Sequence, residues 1–204
     1  MPFSMTCLLS TTYFGPVQWY QKLYRHEEVA IETAEHFVKQ TYRNRCLIAT
    51  ANGTQALTVP VEHADGQAFI RDIRLSDHGN WRHLHWNALV SAYGESPFFE
   101  YYADDIRPFF EKRWDYLIDF NLDITRTMCE LLDIEPNVSL TEHYEHETEA
   151  IDFREVIRPK KPLPDPDFHP KSYYQVYSDR TGFQPNLSIL DLLFNMGNEA
   201  VFYL

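Results

Sequence analysis

The chain has 204 residues, a formal charge of −12 at pH 7, and a composition that is 44% hydrophobic and 15% aromatic. This content is too apolar for a disordered protein, and the length suits one domain that buries roughly two-thirds of its unfolded surface. The negative charge disfavours binding to nucleic acid or to an anionic membrane surface, because like charges repel. We therefore expect a single domain over residues 1–204 with no nucleic-acid partner.

The N-terminus and the cysteines predict a cytoplasmic protein. Residues 1–16 have no basic segment ahead of their apolar run, which differs from a signal peptide, and no apolar run reaches the roughly 20 residues of a membrane helix. Cys7, Cys46 and Cys129 are odd in number and widely spaced, which suits a reducing compartment and indicates neither a disulfide nor a zinc site. We expect no membrane insertion, no metal and no cofactor.

The first part of the chain predicts a strand, a helix and a second strand. Residues 5–11 form a short apolar run that is typical of a buried strand. Gly15 and Pro16 then predict a sharp turn into a helix, since proline suits the first helical position. Residues 28–32 predict the second strand, whereas residues 33–44 fit either a helix or a loop.

A hairpin is the strongest local prediction. Asn52 and Gly53 separate two runs that favour strands, and this dipeptide suits a two-residue type I′ turn because both residues tolerate positive φ. Residues 68–76 alternate loosely between apolar and polar, which predicts a further half-buried strand.

The remainder of the chain predicts helices and one long loop. Helical periodicity covers residues 81–93, 98–113 and 114–134. Residues 158–171 contain five prolines, a density that excludes both a helix and a central strand, so this segment is predicted to be extended. A short apolar helix follows Ser188. We therefore predict an α/β (or α+β) fold: an N-terminal mixed sheet with a β-hairpin, then a helical region and a proline-rich late loop.

Two neighbouring segments are candidates for binding an anion. Lys39, Arg43 and Arg45 lie within a span of seven residues, although the chain as a whole is acidic. A guanidinium binds phosphate or carboxylate through two parallel hydrogen bonds. Asn44, between the two arginines, could bind ligand oxygens. The alternative is a solvated loop whose cations pair with nearby acidic residues such as Glu35.

The turn into the first helix is the second candidate segment. Free backbone N–H groups at a helix start favour an anion, so Tyr13, Gly15 and Gln18 are candidate substrate-binding residues. The glycine-rich patterns of dinucleotide-binding proteins and of P-loops are absent, and ordinary strand-to-helix geometry is the alternative.

The histidines and cysteines offer catalytic or metal-binding alternatives. His85 is the candidate general base, because a neutral imidazole accepts a proton near pH 7. His83 and His85 would point apart on a helix and could not share a metal, whereas His143 and His146 could lie on one helical face. The cysteines lie in apolar runs, where they usually pack without reacting.

Several of these segments resemble the WbqC-like family, bacterial proteins named from a gene of O-antigen polysaccharide clusters. The family's opening pattern is similar to TTYFGPVQWYQKL, and its Leu-Thr-x-Pro-Val strand is present at residues 57–61. Its Leu-Ser-Ile-x-Asp-Leu-Leu ending is present at residues 187–193. The motif Phe-x-Lys-x-x-Trp-x-Asn-Arg-Asn-x-Ile matches Phe37, Lys39, Asn44, Arg45 and Ile48, with Tyr42 in place of the Trp and Cys46 in place of the second Asn.

The resemblance implies a role in surface-polysaccharide synthesis without naming a substrate or a reaction. The first hypothesis is a cytoplasmic transferase that modifies an activated, nucleotide-linked sugar and holds its anionic part with the Lys/Arg cluster. The second is a non-catalytic binding or assembly protein that contacts a protein partner through residues 142–171. A cysteine-dependent hydrolase or acyltransferase is a third hypothesis.

Overall fold

The computed structural model of the chain describes residues 6–62, 67–144 and 149–204. Within these residues, the centre of the fold is a four-stranded parallel sheet in the order β5-β2-β1-β6. Its strands are β1 (Cys7–Ser10), β2 (Val29–Glu32), β5 (Val138–Leu140) and β6 (Ile151–Asp152). Helix α1 (Val17–Arg25) connects β1 to β2, as parallel neighbours require.

The two central strands, β1 and β2, are covered on both of their faces. Cys7, Leu9, Val29 and Ile31 on one face, and Leu8 and Glu32 on the other, are almost fully buried. Strands of a parallel sheet that is buried on both faces have apolar runs rather than strict alternation, which agrees with the sequence of β1. The fold class predicted from the sequence, α/β, is confirmed.

The predicted hairpin is present and lies outside the parallel sheet. Strand β3 (Arg45–Thr50) pairs with β4 (Gly53–Thr58) in antiparallel register. The turn differs from the prediction by one residue, because Thr50 pairs with Gly53 and Ala51 and Asn52 make the turn. The predicted type I′ conformation is wrong, since neither of these two residues has a positive φ. Gly53 has a φ of 107°, a conformation that glycine adopts without strain.

The helices follow the predicted periodicity closely. They are α2 (Trp81–Tyr93), α3 (Phe99–Ile106), α4 (Pro108–Glu111), α5 (Leu117–Leu131), α6 (Ser178–Thr181) and α7 (Ile189–Met196). The Oγ of Ser188 accepts the Leu190 N–H at 3.3 Å and caps α7, as its position predicts. In the described parts of the chain, every helix is too short or too polar to cross a membrane.

The prediction of a strand at residues 68–76 is wrong. The segment contains a 3₁₀ helix (Ile70–Asp72), and it contacts three other parts of the chain through single β-bridges. Its buried side chains include Ile70 and Ile73, which are three residues apart and therefore share one face of a 3₁₀ turn. The loose alternation of apolar and polar residues predicted a strand, although the buried residues are spaced by three.

The proline-rich segment, residues 158–171, contains neither a helix nor a strand and lies against the body of the protein. The ammonium of Lys22 on α1 contacts the Asp165 carboxylate at 2.7 Å, and both side chains are less than 5% exposed. Gln18 donates a second hydrogen bond, of 2.8 Å, to the same carboxylate. At the end of the segment, Lys171 donates to the Phe202 carbonyl at 2.7 Å. The segment is thus anchored by its polar side chains.

Candidate functional site at the carboxyl edge of the sheet

Polar residues follow the strands of the parallel sheet at the edge where the strands end. Ser10 ends β1, Glu32 ends β2, Asp152 ends β6, and Thr141 follows β5 directly. The carboxyl ends of parallel strands lie at one edge of the sheet, and open α/β sheets bind their ligands there. The hydroxyl of Thr141 donates to the Glu32 carboxylate at 2.6 Å, which links the ends of β5 and β2.

The first buried ion pair of this edge joins Arg43 to Glu35. The guanidinium donates two hydrogen bonds to the two carboxylate oxygens, at 2.7 Å and 2.5 Å, and both side chains are about 5–6% exposed. Ser10 links the pair to β1, since its hydroxyl accepts from Arg43 at 2.8 Å and donates to Glu35 at 3.1 Å. A bidentate pair of this kind fixes the orientation of both groups.

The second buried ion pair joins Arg154, just after β6, to Glu32. The guanidinium lies 3.0 Å from the Glu32 carboxylate and also donates to Asp152 at 2.7 Å. Burial by itself raises the pKa of Asp152, but hydrogen bonds from the Arg154 side chain and backbone outweigh it and keep the pKa below the ordinary value. The Asp152 carboxylate is therefore held in the charged form.

A cleft of about 630 Å³ opens beside the first pair, and we call it the carboxyl-edge cleft. This volume is in the range of small-molecule sites. The lining includes Glu35 and Arg43 and is completed by segments that follow β2 and β5 and by the 3₁₀ segment. The lining residues are 34–36, Val38, Arg43, Phe69, Arg71, 142–144 and Glu155.

One wall of the cleft combines aromatic faces with a cation. The rings of His36 and Phe69 stack at a centroid distance of 4.8 Å and an angle of 15°. The Arg71 guanidinium lies 5.2 Å from the Phe69 ring centroid. The His36 Nδ1–H donates to the Gln67 carbonyl at 2.8 Å, so the neutral ring has its lone pair on Nε2. This wall could stack a planar ring, contact an anion and accept a proton.

The predicted Lys/Arg cluster is divided by the structure. Arg43 lines the carboxyl-edge cleft, whereas Lys39 is exposed and is not among the lining residues. The Asn44 amide donates to the Val59 carbonyl at 2.9 Å, and Arg45 donates to the Thr58 hydroxyl at 2.9 Å. Asn44 and Arg45 thus hold the base of the hairpin, and ligand binding by these two residues and by Lys39 stays a prediction.

The predicted base, His85, lies among aromatic rings on α2. It is 6% exposed, and its Nδ1 is 2.9 Å from the Tyr13 hydroxyl. Burial lowers the pKa of His85 to about 4, with partial opposition from a hydrogen bond to the Thr58 backbone. The ring is therefore neutral at pH 7. Catalysis by His85 and substrate binding by Tyr13 stay predictions, and the geometry favours a packing role for both.

Gly15 and Gln18 support the entry into α1. A Cβ atom at Gly15 would lie 2.4 Å from the Thr12 Oγ1, so glycine fits best against the Thr12 side chain three residues earlier in the same turn. The Gln18 side chain is bonded on both sides, donating to Asp165 and accepting from Asn186 at 3.0 Å. Binding of a ligand by these two residues also stays a prediction.

The metal and cysteine alternatives receive little support from the geometry. His83 is exposed and His85 buried on α2, so they point apart as expected, and His146 is outside the described residues. No three His, Cys, Asp or Glu side chains within residues 6–62, 67–144 and 149–204 form a metal-binding group. Burial raises the pKa of Cys7 and of Cys129 to about 12, and it also raises that of Cys46, so all three thiols stay protonated.

Sequence analysis missed Glu35, His36, Phe69 and Arg71 as site residues. The signal that could have found the first two is their position just after β2, once β1, α1 and β2 are recognised as a parallel unit. Phe69 and Arg71 had no such signal, because only the folded chain brings the 3₁₀ segment to this edge.

The fold and this edge define an α/β protein with a cleft at the carboxyl ends of parallel strands. The WbqC-like protein family model matches residues 11–158, which is most of the chain, and the chain belongs to this family. It is also similar to the "Uncharacterized protein Rv1507c" of Mycobacterium tuberculosis, with 29% identity in an alignment that covers 87% of each chain. No solved structure matches the chain.

Proposed function

We propose that the chain is a transferase that modifies a nucleotide-linked sugar in the carboxyl-edge cleft. The observation that carries this proposal is the junction of a fixed Arg43–Glu35 pair, an aromatic wall and an exposed cation at the carboxyl ends of β1 and β2. Sites of this composition orient a ligand through a few polar groups and bind the rest of it on apolar faces.

The aromatic wall supports binding of the sugar or the base. The Phe69 side chain is 36% exposed, and its stacking on His36 holds the ring face in one orientation. The Arg71 guanidinium, which also donates to the Glu142 carbonyl at 3.4 Å, retains N–H groups that suit a diphosphate. In this proposal Arg43 holds Glu35 in place rather than binding the phosphates itself. Its Nε and one terminal nitrogen are already bonded to that carboxylate.

His36 supplies the base of the proposed transfer. A hydroxyl or amine of the bound sugar attacks the electrophilic carbon of a second substrate, the activated donor of the transferred group, and forms the new bond while its proton passes to Nε2 of His36. The leaving group departs with the electron pair of the bond that breaks. The hydrogen bond from Nδ1 to Gln67 fixes the tautomer, which leaves Nε2 to accept the proton. We place this reaction in surface-polysaccharide synthesis, as the family resemblance implies, and in the cytoplasm, as the N-terminal sequence and the cysteines predict.

A binding or assembly protein that presents residues 142–171 is the second proposal. It is supported by three apolar or aromatic side chains that this segment exposes, Tyr144, Ile151 and Leu163, which are 41%, 39% and 52% exposed. The buried Lys22–Asp165 contact weighs against a segment that folds only on a partner, because it already anchors the segment to α1.

A thermal-shift screen of the full chain against uridine, guanosine and thymidine diphosphate sugars tests the transferase. A ligand at 100 times its Kd should stabilise the fold by about 2.7 kcal/mol. We expect Arg71→Gln and Phe69→Ala to weaken this response, while Arg126→Gln, an exposed arginine on α5, leaves it unchanged. For an identified sugar, mass spectrometry should show a transferred group that is lost in His36→Gln with binding retained. No response to any nucleotide sugar would overturn the transferase and favour the assembly protein.

A further inference from the structure

A second cleft lies between the start of α2 and α4, and we call it the arginine cleft. It has a volume of about 350 Å³ and shares no lining residue with the carboxyl-edge cleft. Three arginines line it in a chain whose net charge is −12. The lining residues are Asp77, Asn80, Arg82, His83, Trp86, Arg107, Phe110, Glu111 and Arg113.

The carboxylates of the cleft do not use all of the arginine donors. Each guanidinium has five N–H groups, and three guanidinium groups face two carboxylates, which leaves an excess of one positive charge. Arg82 donates to one oxygen of Asp77 at 2.6 Å, and Arg113 lies 3.6 Å from the other oxygen, beyond a normal hydrogen bond. Arg107 bonds Glu111 through Nε at 2.6 Å, so its two terminal nitrogens remain for another acceptor.

The acidic partners act as supports that fix the arginines. The Arg82 hydrogen bond and the charge of Arg113 keep the pKa of Asp77 low, so this carboxylate stays charged and holds both cations. The Nε of Arg82 is buried and has no hydrogen-bond partner within the described residues. The Arg82 guanidinium also lies 4.7 Å from the Trp81 ring centroid, which holds it against the start of α2.

Two neighbouring groups add donors and an apolar surface. The Asn87 amide donates to His83 Nε2 at 2.9 Å, so the neutral His83 ring keeps a donor at Nδ1. Residues 80–83 are the first turn of α2, whose N-terminus favours an anion. The Trp86 ring lies 5.8 Å from the Phe110 ring centroid and provides an aromatic face for an organic group.

We propose that the arginine cleft is a second ligand site, which binds a phosphate group carried by a small molecule. A carboxylate presents two oxygens, and two carboxylates are already present, whereas a phosphate or diphosphate presents enough oxygens to contact several guanidinium groups at once. This assignment is independent of the transferase proposal, because the two clefts have no lining residue in common.

Isothermal titration calorimetry of the full chain at low ionic strength tests the site with inorganic diphosphate, inorganic phosphate and citrate. We expect saturable binding of diphosphate, and binding about tenfold or more weaker in Arg107→Gln/Arg113→Gln, which removes two charge-assisted contacts. Arg107 and Arg113 are 55% and 85% exposed, so this variant should fold normally, and circular dichroism checks that it does.

A second double variant controls for the change in net charge. Arg126→Gln/Arg180→Gln removes the same charge from exposed positions outside the cleft and should bind diphosphate like the unmodified chain. Three results would overturn the proposal: no saturable heat with diphosphate, an equal loss of affinity in both double variants, or citrate binding more tightly than diphosphate. The first result excludes a site, the second indicates non-specific attraction, and the third indicates a carboxylate site.

Discussion

The carboxyl-edge cleft and the arginine cleft both contain arginines in an acidic chain, but Arg43 of the first is buried, whereas Arg107 and Arg113 of the second are exposed. The Arg43 side chain is 5% exposed and bonded twice to Glu35, whereas the Arg113 side chain is 85% exposed and only approaches Asp77. A buried guanidinium needs its carboxylate to offset the loss of water, so its first task is structural. An exposed guanidinium keeps donors for a ligand. A cation cluster in a sequence therefore indicates a binding site only after burial is known.

The largest expected effect comes from breaking the buried pair. Arg43→Met would leave the Glu35 carboxylate buried without its partner, and we expect the free energy of unfolding to fall by about 3–5 kcal/mol. Urea denaturation followed by circular dichroism measures this change. Arg43→Met/Glu35→Leu removes both charges and should recover much of the loss. Lys39→Met, at an exposed position, is the control, and a loss below about 1 kcal/mol in Arg43→Met would contradict the structural role.

We expect a smaller effect on the free energy of unfolding from the buried His85, which becomes positively charged only at acidic pH. His85 has a folded-state pKa of about 4, below the ordinary value of 6.5, so between these values the unfolded chain binds a proton that the folded chain does not. This histidine therefore makes stability fall as the pH falls from 6.5 to 4, by about 3 kcal/mol in total.

Urea denaturation at a series of pH values compares the unmodified chain with His85→Gln. Acidic residues contribute to the pH dependence of both proteins, so the difference between the two curves isolates the histidine. We expect the variant to lose less stability on acidification, whatever its stability at pH 7. Parallel curves for the two proteins would show that His85 is not buried in its neutral form.

The smallest effect on stability is expected in the arginine cleft. Arg107→Gln breaks an exposed i,i+4 ion pair with Glu111, and Arg113→Gln removes a weaker contact. Exposed pairs of this kind contribute less than about 1 kcal/mol to the free energy of unfolding, because water and salt screen them. The same urea experiment measures both variants. A loss as large as that of Arg43→Met would mean that these arginines are structural and would remove the contrast between the clefts.

Local signals in the sequence were sufficient for most of the secondary structure. The turn at Gly15 and Pro16 starts α1, the Asn52 region makes the hairpin, and the apolar spacing of residues 114–134 matches α5. These features depend on backbone conformation and on the period of apolar residues, which neighbouring residues alone express. The prediction for residues 68–76 is wrong, because their bridges join them to three distant parts of the chain and override a weak local pattern. The short elements β5, β6 and α6 were not predicted, since two to four residues carry too little periodicity.

The sequence by itself determined the fold class, the family resemblance and the presence of unusual cations in an acidic chain. Only the tertiary structure decided which cations can contact a ligand. Arg43 forms a buried ion pair with Glu35, whereas Arg71, Arg107 and Arg113 line the two clefts. Burial and pairing depend on segments that are far apart in the chain, such as Ser10 against Arg43 or Asp165 against Lys22. No local sequence pattern specifies these long-range contacts. The positions of the site residues therefore depend on how the segments pack together.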